Sequence, residues 1–353
     1  MESKRIDCIE GLRTIGWIGV FLCHFKLSFF PDLITWIDKT PLKFFYSGET
    51  LVRLFFVMSG LVISYKYFVN DRYDSALKDI TKRYFRLVPP ILFAEILVLI
   101  LMSIGAMYNA EASVLIGSES FLGIHNQFKP DIGLCLREAL LATYFNGSSA
   151  YIGPLWTMVY EYIGAIIIIA AVSIFKKSDC RWLFYGVFLI AYSGYYNYFV
   201  LGMMICDLYV NLNIWEKLKK KILPESIVVI GFVMLNMINL NDTDKYSRVV
   251  FGLGVVLFML GILSSELLGK VLGCKPMIKG GEIAYSAYII HWPVIETLSC
   301  GLMVLFYGDV NYNLLSIVIC LVSFIFIVIL AYLMKKYVEP IGINISNALK
   351  LND

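Results

Sequence analysis

Arg13 stands near one end of the first long apolar run of the chain, and His24 lies deeper inside it. Eleven residues are about three turns of an α-helix, so both side chains fall on one face, roughly 16 Å apart along its axis. A guanidinium binds phosphate oxygens in a bidentate fork, and an imidazole is the usual general base near neutral pH. A long ligand with an anionic head and a remote reactive end fits that pair, and an acyl-CoA thioester has this shape. Each residue also has a plainer reading, Arg13 as a membrane-surface anchor and His24 as a hydrogen-bonded packing residue.

Three further stretches carry chemistry. Lys82-Arg83-Tyr84-Phe85-Arg86 precedes Pro89-Pro90, and is expected in a cytoplasmic loop. Arg83 and Arg86 would share a helical face and clamp nucleotide phosphates, or else bind anionic lipid. Glu161 follows Pro154-Leu155-Trp156-Thr157. It is expected about 14 Å from the outer end of its span, a depth comparable with that of His24. A carboxylate there would orient the imidazole and hold its tautomer; the structural alternative pairs it with Arg53. Tyr285, Tyr288 and His291, three residues apart, align two hydroxyls and an imidazole on one face just before Pro293. They suit substrate binding, as do Trp156 and Arg53, or a polar seam between helices. His125, with no second His or Cys near it in sequence, reads as a surface residue.

The elements that must position these groups are membrane helices. Of 353 residues, 59% are hydrophobic and 16% charged, against about 25% charged in soluble domains. Apolar runs long enough to cross a hydrocarbon core of about 30 Å recur along the chain. They predict an all-α polytopic protein with spans near 12–30, 50–69, 87–107, 152–175, 182–197, 198–213, 225–240, 249–268, 281–307 and 313–334. A short amphipathic helix is expected near Ile132–Tyr144. The first run lacks a cleavage site and reads as a retained span. Most of the 30 Lys and Arg fall in alternate loops, among them Lys66 to Arg86, Lys176 to Arg181, Lys217 to Lys221 and Lys270 to Lys279. This bias predicts ten spans with both termini cytoplasmic. A net charge of +3 gives no case for a nucleic-acid partner, so membrane lipids are the expected surroundings. The eight cysteines form no CxxC and no zinc spacing, which predicts neither a metal site nor a disulfide framework. Walker A, GxSxG and HExxH sequences are absent. No tandem repeat or linker divides the chain, so one membrane domain is expected over 1–353.

Taken together, these stretches resemble the acyltransferase-3 family of integral membrane acyltransferases. The resemblance rests on Glu10-Gly11-Leu12-Arg13 with His24, an R-x10-H pattern, and on Leu54-Phe55-Phe56-Val57-Met58-Ser59-Gly60. It rests also on Arg83-x-x-Arg86, on Leu155-Trp156-Thr157 with Glu161, and on Ser286-Ala287-Tyr288-Ile289-Ile290-His291-x-Pro293. It implies a ten-helix fold of the stand-alone form, without a following SGNH hydrolase-like domain. The implied reaction moves an acyl group, usually acetyl, from cytoplasmic acetyl-CoA to a hydroxyl of a surface or lipid-linked glycan, such as an O-antigen. His24 would be catalytic with Arg13 as its partner, Arg83 and Arg86 would contact the donor, and Glu161 falls at the family's W-x-x-x-x-E glutamate. The expected location is the bacterial inner membrane. Buried Arg, Glu and His also line transport paths, so a glycan or lipid flippase is the rival reading. The lack of matching halves weighs against it.

Overall fold

A computed structural model describes residues 6–30, 36–70, 73, 75–214, 223–237 and 245–348. In lipid every backbone N–H and C=O must be satisfied within the segment, which leaves long apolar runs no choice but the helix. The helices are α1 (Asp7–Phe29), α2 (Gly48–Asn70), α3 (Ala76–Ser103), α4 (Asn109–Ile116), α5 (Ile132–Arg137), α6 (Met158–Phe175), α7 (Cys180–Ala191) and α8 (Tyr196–Val210). They continue with α9 (Pro224–Met237), α10 (Lys245–Ser264), α11 (Glu266–Leu272) and α12 (Lys275–Glu282). The last three are α13 (Ala284–Phe306), α14 (Tyr312–Tyr337) and α15 (Glu339–Ala348). No strand occurs among the described residues, and the molecule is an all-α polytopic membrane protein.

Seven helices are long and apolar enough to cross a membrane, and α7, α8 and α9 are shorter apolar helices. The basic residues Lys4, Arg5, Arg72, Lys217 to Lys221 and Lys350, and the expected span end at 238–240, lie outside the described residues. The expected amphipathic segment is α5, a π-type turn over Glu138–Ala142 and one helical turn at Thr143–Phe145.

One expectation is corrected at α3. The basic stretch Lys82 to Arg86 is helical rather than a loop, because α3 starts at Ala76 and runs through Pro89 and Pro90. Proline at 89 removes the bond to the Phe85 carbonyl, and that oxygen instead faces α15 across Gly342. Pro293 is absorbed similarly in α13. A π-type turn follows at Ile295–Ser299, and the Thr297 hydroxyl donates to the Pro293 carbonyl at 2.6 Å.

Helices associate in lipid through close packing of small residues. At the α2–α8 seam a methyl on Gly60 would sit 2.1 Å from the Phe199 carbonyl oxygen, and one on Gly202 2.1 Å from that of Val57. The two backbones therefore touch directly. Along α14, Leu315, Ile319, Ser323, Ile327 and Ala331 are buried at four-residue steps, while Ile317, Leu321, Ile325 and Ile329 are exposed. That exposed apolar stripe is a lipid face.

Candidate active site

A cavity of about 880 Å³ lies among α1, α2, α3, α6, α13, α14 and α15. Arg13, Arg83 and Arg86 all line it. Arg13 comes from the second turn of α1, and the two others from one face of α3, three residues apart. Most of the surrounding cations hold a carboxylate. Arg13 Nη1 is 3.1 Å from Glu10 Oε1, Lys66 Nζ is 2.7 Å from Asp79, and Lys335 Nζ is 2.6 Å from Glu282. Arg83 pairs with Glu161, which also accepts from the Ser59 hydroxyl at 2.9 Å. Arg86 is exposed and has no ion-pair partner among the described residues.

The inner end of the cavity is closed by Thr157 and Tyr288, with Phe55 against the tyrosine ring at 6.4 Å. The Tyr288 hydroxyl donates to the Pro154 carbonyl and lies 2.8 Å from Thr157 Oγ1. Tyr285, one turn nearer the basic mouth, donates to the Leu87 carbonyl at 2.8 Å and ties α13 to α3.

His24 and His291 stand beyond this closure. His24 Nδ1 is 2.9 Å from His291 Nε2, and His291 Nδ1 is 2.6 Å from the carbonyl oxygen of Tyr288. A carbonyl can only accept. With both rings neutral, His291 Nδ1 carries its proton, His291 Nε2 offers a lone pair, and His24 Nδ1 donates to it. The tautomers, assigned from this network, leave His24 Nε2 with a free lone pair. Trp292 packs edge-on against His24 at 5.2 Å and against His125 at 4.8 Å. Two of the three histidines of the chain therefore flank one indole, and the third, His291, stacks on His24 with ring centroids 5.1 Å apart. They do not form a metal cradle, since no three His, Cys, Asp or Glu side chains converge suitably among the described residues.

The sequence-derived assignments change in four places. The cavity does not run from Arg13 to His24 as the long-ligand reading expects: Thr157 and Tyr288 line it and His24 does not, and the tyrosine hydroxyl is pinned to the turn that opens α6. Glu161 does not meet His24. It sits one helical turn past Thr157, on the cavity side of the closure, and pairs with Arg83 rather than with an imidazole or with Arg53. Arg13 holds Glu10 and is not in contact with His24. His125, read as a surface residue, packs on Trp292, and burial lowers its pKa. Two residues expected at the substrate site do not line this cavity. Trp156 packs against Tyr160 and Tyr195, and Arg53 pairs with Glu49 beneath the Phe251 ring. The role of His291 as partner of His24 went unread, as did that of Ser59, although Ser59 belongs to the Phe55-to-Gly60 stretch noted above. Glu10, three residues before Arg13, was visible as a helical neighbour.

A family model described as an acyltransferase domain matches residues 6–335. The fold and the cavity thus belong to an integral membrane acyltransferase, and the chain is a member of the acyltransferase-3 family. No curated protein and no solved structure matches the chain.

Proposed function

We propose that the protein is an O-acyltransferase of a bacterial cytoplasmic membrane. It moves an acetyl group from cytoplasmic acetyl-CoA to a hydroxyl of a cell-surface or lipid-linked glycan. The observation that carries this reading is the free lone pair on His24 Nε2, set by the His24–His291–Tyr288 chain, one residue layer beyond a cavity lined by guanidinium groups. The cavity volume of about 880 Å³ lies near the top of the range for small-molecule sites, roughly 300–1,000 Å³, as a ligand of coenzyme A size requires.

The donor enters from the basic mouth with its phosphates on Arg86, Arg83 and Arg13, the last two exchanging a carboxylate for a phosphate oxygen. Its pantetheine arm then lies along Phe55 and Tyr285, with the thioester at Thr157 and Tyr288. Rotation of Tyr288 off the Pro154 carbonyl joins this end to His24. His24 Nε2 takes the proton of the sugar hydroxyl as that oxygen bonds to the thioester carbonyl carbon. The C–S bond breaks, and the departing thiolate recovers the proton from His24. An ester, a thiol and a neutral imidazole remain, with no net change of charge.

The experiment is incubation of the purified protein in lipid nanodiscs with labelled acetyl-CoA and an acceptor glycan. Wild type is expected to transfer label, and His24→Ala to lose transfer while inserting normally. Full activity in that variant would remove His24 from the mechanism. Mass spectrometry of surface glycans from cells with and without the protein identifies the acceptor.

A further inference from the structure

We propose that α15, which lies beyond the matched domain, forms a wall of the donor site and receives the nucleotide end of coenzyme A. The proposal rests on the acyl-CoA reading above and goes one step past it. The family match ends at residue 335, yet Glu339, Ile343, Ser346 and Asn347 line the same cavity as Arg83 and Arg86. Their spacing of i, i+4, i+7 and i+8 is one face of a helix, so α15 presents a continuous stripe to the cavity.

Two contacts hold the helix there. Glu339 Oε1 accepts from the Ser286 hydroxyl at 2.6 Å, tying the start of α15 to α13. Gly342 packs on the backbone of α3, where a methyl would sit 2.4 Å from the Phe85 oxygen and 3.0 Å from Arg86 Cα. The absent side chain lets α15 lie directly beside Arg86. Among the described residues that guanidinium has no carboxylate within ion-pair distance, unlike Arg13, Arg83, Lys66 and Lys335, and Glu339 acts on it only from farther off, so it can take a phosphate without giving up a direct pair.

The chemistry of the stripe matches a purine nucleotide. Ile343 supplies an apolar surface for the face of a ring. The Ser346 hydroxyl is already spent on the Ile343 carbonyl at 2.8 Å. Asn347, exposed at the mouth, carries both a donor and an acceptor, as the edge of an adenine requires. The phosphates fall to Arg86 and the base to α15. The pantetheine arm, running inward, does not touch this helix.

That division sets the test. Equilibrium binding of coenzyme A and of 4′-phosphopantetheine, which lacks the nucleotide, is measured on full-length protein in nanodiscs for wild type, Ile343→Ala and Asn347→Ala. Both positions are exposed, so the variants are expected to melt as wild type does. Each is expected to bind coenzyme A about tenfold more weakly, the effect of losing roughly one net hydrogen bond or apolar contact, with 4′-phosphopantetheine unchanged. Wild-type affinity for coenzyme A in both variants overturns the proposal, as does an equal loss for both ligands. A wild-type protein that binds neither ligand overturns the acyl-CoA reading itself.

Discussion

His24 Nδ1 and His291 Nε2 are 2.9 Å apart, and the second ring is fixed by the backbone carbonyl of Tyr288 at 2.6 Å. In the reaction proposed above, the pair takes the duty that a carboxylate has in an acid–base triad: it selects one tautomer of the His24 imidazole and orients it. It does so without placing a buried negative charge beside the base, and the anchoring acceptor belongs to the main chain, which cannot ionise.

Replacement of His291 by Leu removes the acceptor and lets His24 adopt either tautomer. The expected loss is about 10²–10⁴-fold in kcat, the range that a positioned general base supplies, with KM for the donor unchanged. His291→Gln keeps an acceptor oxygen on a side chain of similar reach and is expected to recover part of the rate. Steady-state kinetics of the two variants check this. A Leu variant as active as wild type rules out the tautomer relay.

Tyr288→Phe removes the hydroxyl that fastens the closure to Pro154 and Thr157, while leaving the ring against Phe55. The Pro154 carbonyl keeps the Thr157 hydroxyl at 3.1 Å as a donor, so the fold should survive. With the barrier loosened, water reaches the thioester, and release of free thiol from acetyl-CoA without acceptor is expected to rise several-fold. A thiol-reactive dye reads this directly. Unchanged release would show that the hydroxyl does not hold the two compartments apart.

Glu161→Gln separates the two roles open to that carboxylate. Contact with His24 would make its loss as costly as that of His291. The pairing with Arg83 and Ser59 instead places the effect on the donor side and on the fold. Arg83 is left in a partly buried position without its counter-charge, and stability is expected to fall by about 1–3 kcal/mol. KM for acetyl-CoA should change while kcat stays within about tenfold, well short of the general-base range. Melting temperature and the KM-against-kcat split are the measurements. A kcat collapse with an intact fold would restore Glu161 as the partner of His24.

How much of this was legible depended on the range of the interactions. The apolar runs were readable because lipid forces each segment to satisfy its own backbone, a local requirement visible in any window. The position of Arg83 and Arg86 on one face followed from helical spacing alone. The continuation of α3 through Pro89 and Pro90 did not, because the Phe85 oxygen that Pro89 releases meets α15 at Gly342, far along the chain. The partner of His24 lies 267 residues away, and only the packing of α1 against α13 brings it near. Depth along two helices suggested Glu161, yet depth is a single coordinate. The direction of the carboxylate is set by its place one turn after Thr157, on the cavity side. His125 had no neighbour in sequence to mark it, and Trp292 reaches it from α13.

His125 also gives the fold a pH dependence of definite sign. It lies in the segment between α4 and α5, and burial lowers its pKa from the ordinary 6.5, since a charged ring is poorly solvated there. Above pH 6.5 the ring is neutral in both folded and unfolded chains and contributes nothing. As pH falls below 6.5 the unfolded chain takes up its proton first, the folded chain resists, and stability declines until the lowered folded value is passed. The slope from one such group is at most about 1.4 kcal/mol per pH unit, and partial exposure reduces it. His125→Phe keeps a ring against Trp292 but cannot be protonated. Melting temperatures of wild type and His125→Phe are therefore expected to run parallel above pH 6.5. Below it, the wild type should fall away from the variant. Parallel curves down to pH 5 would mean that the ring is free to charge where it stands, and that its packing on Trp292 is loose.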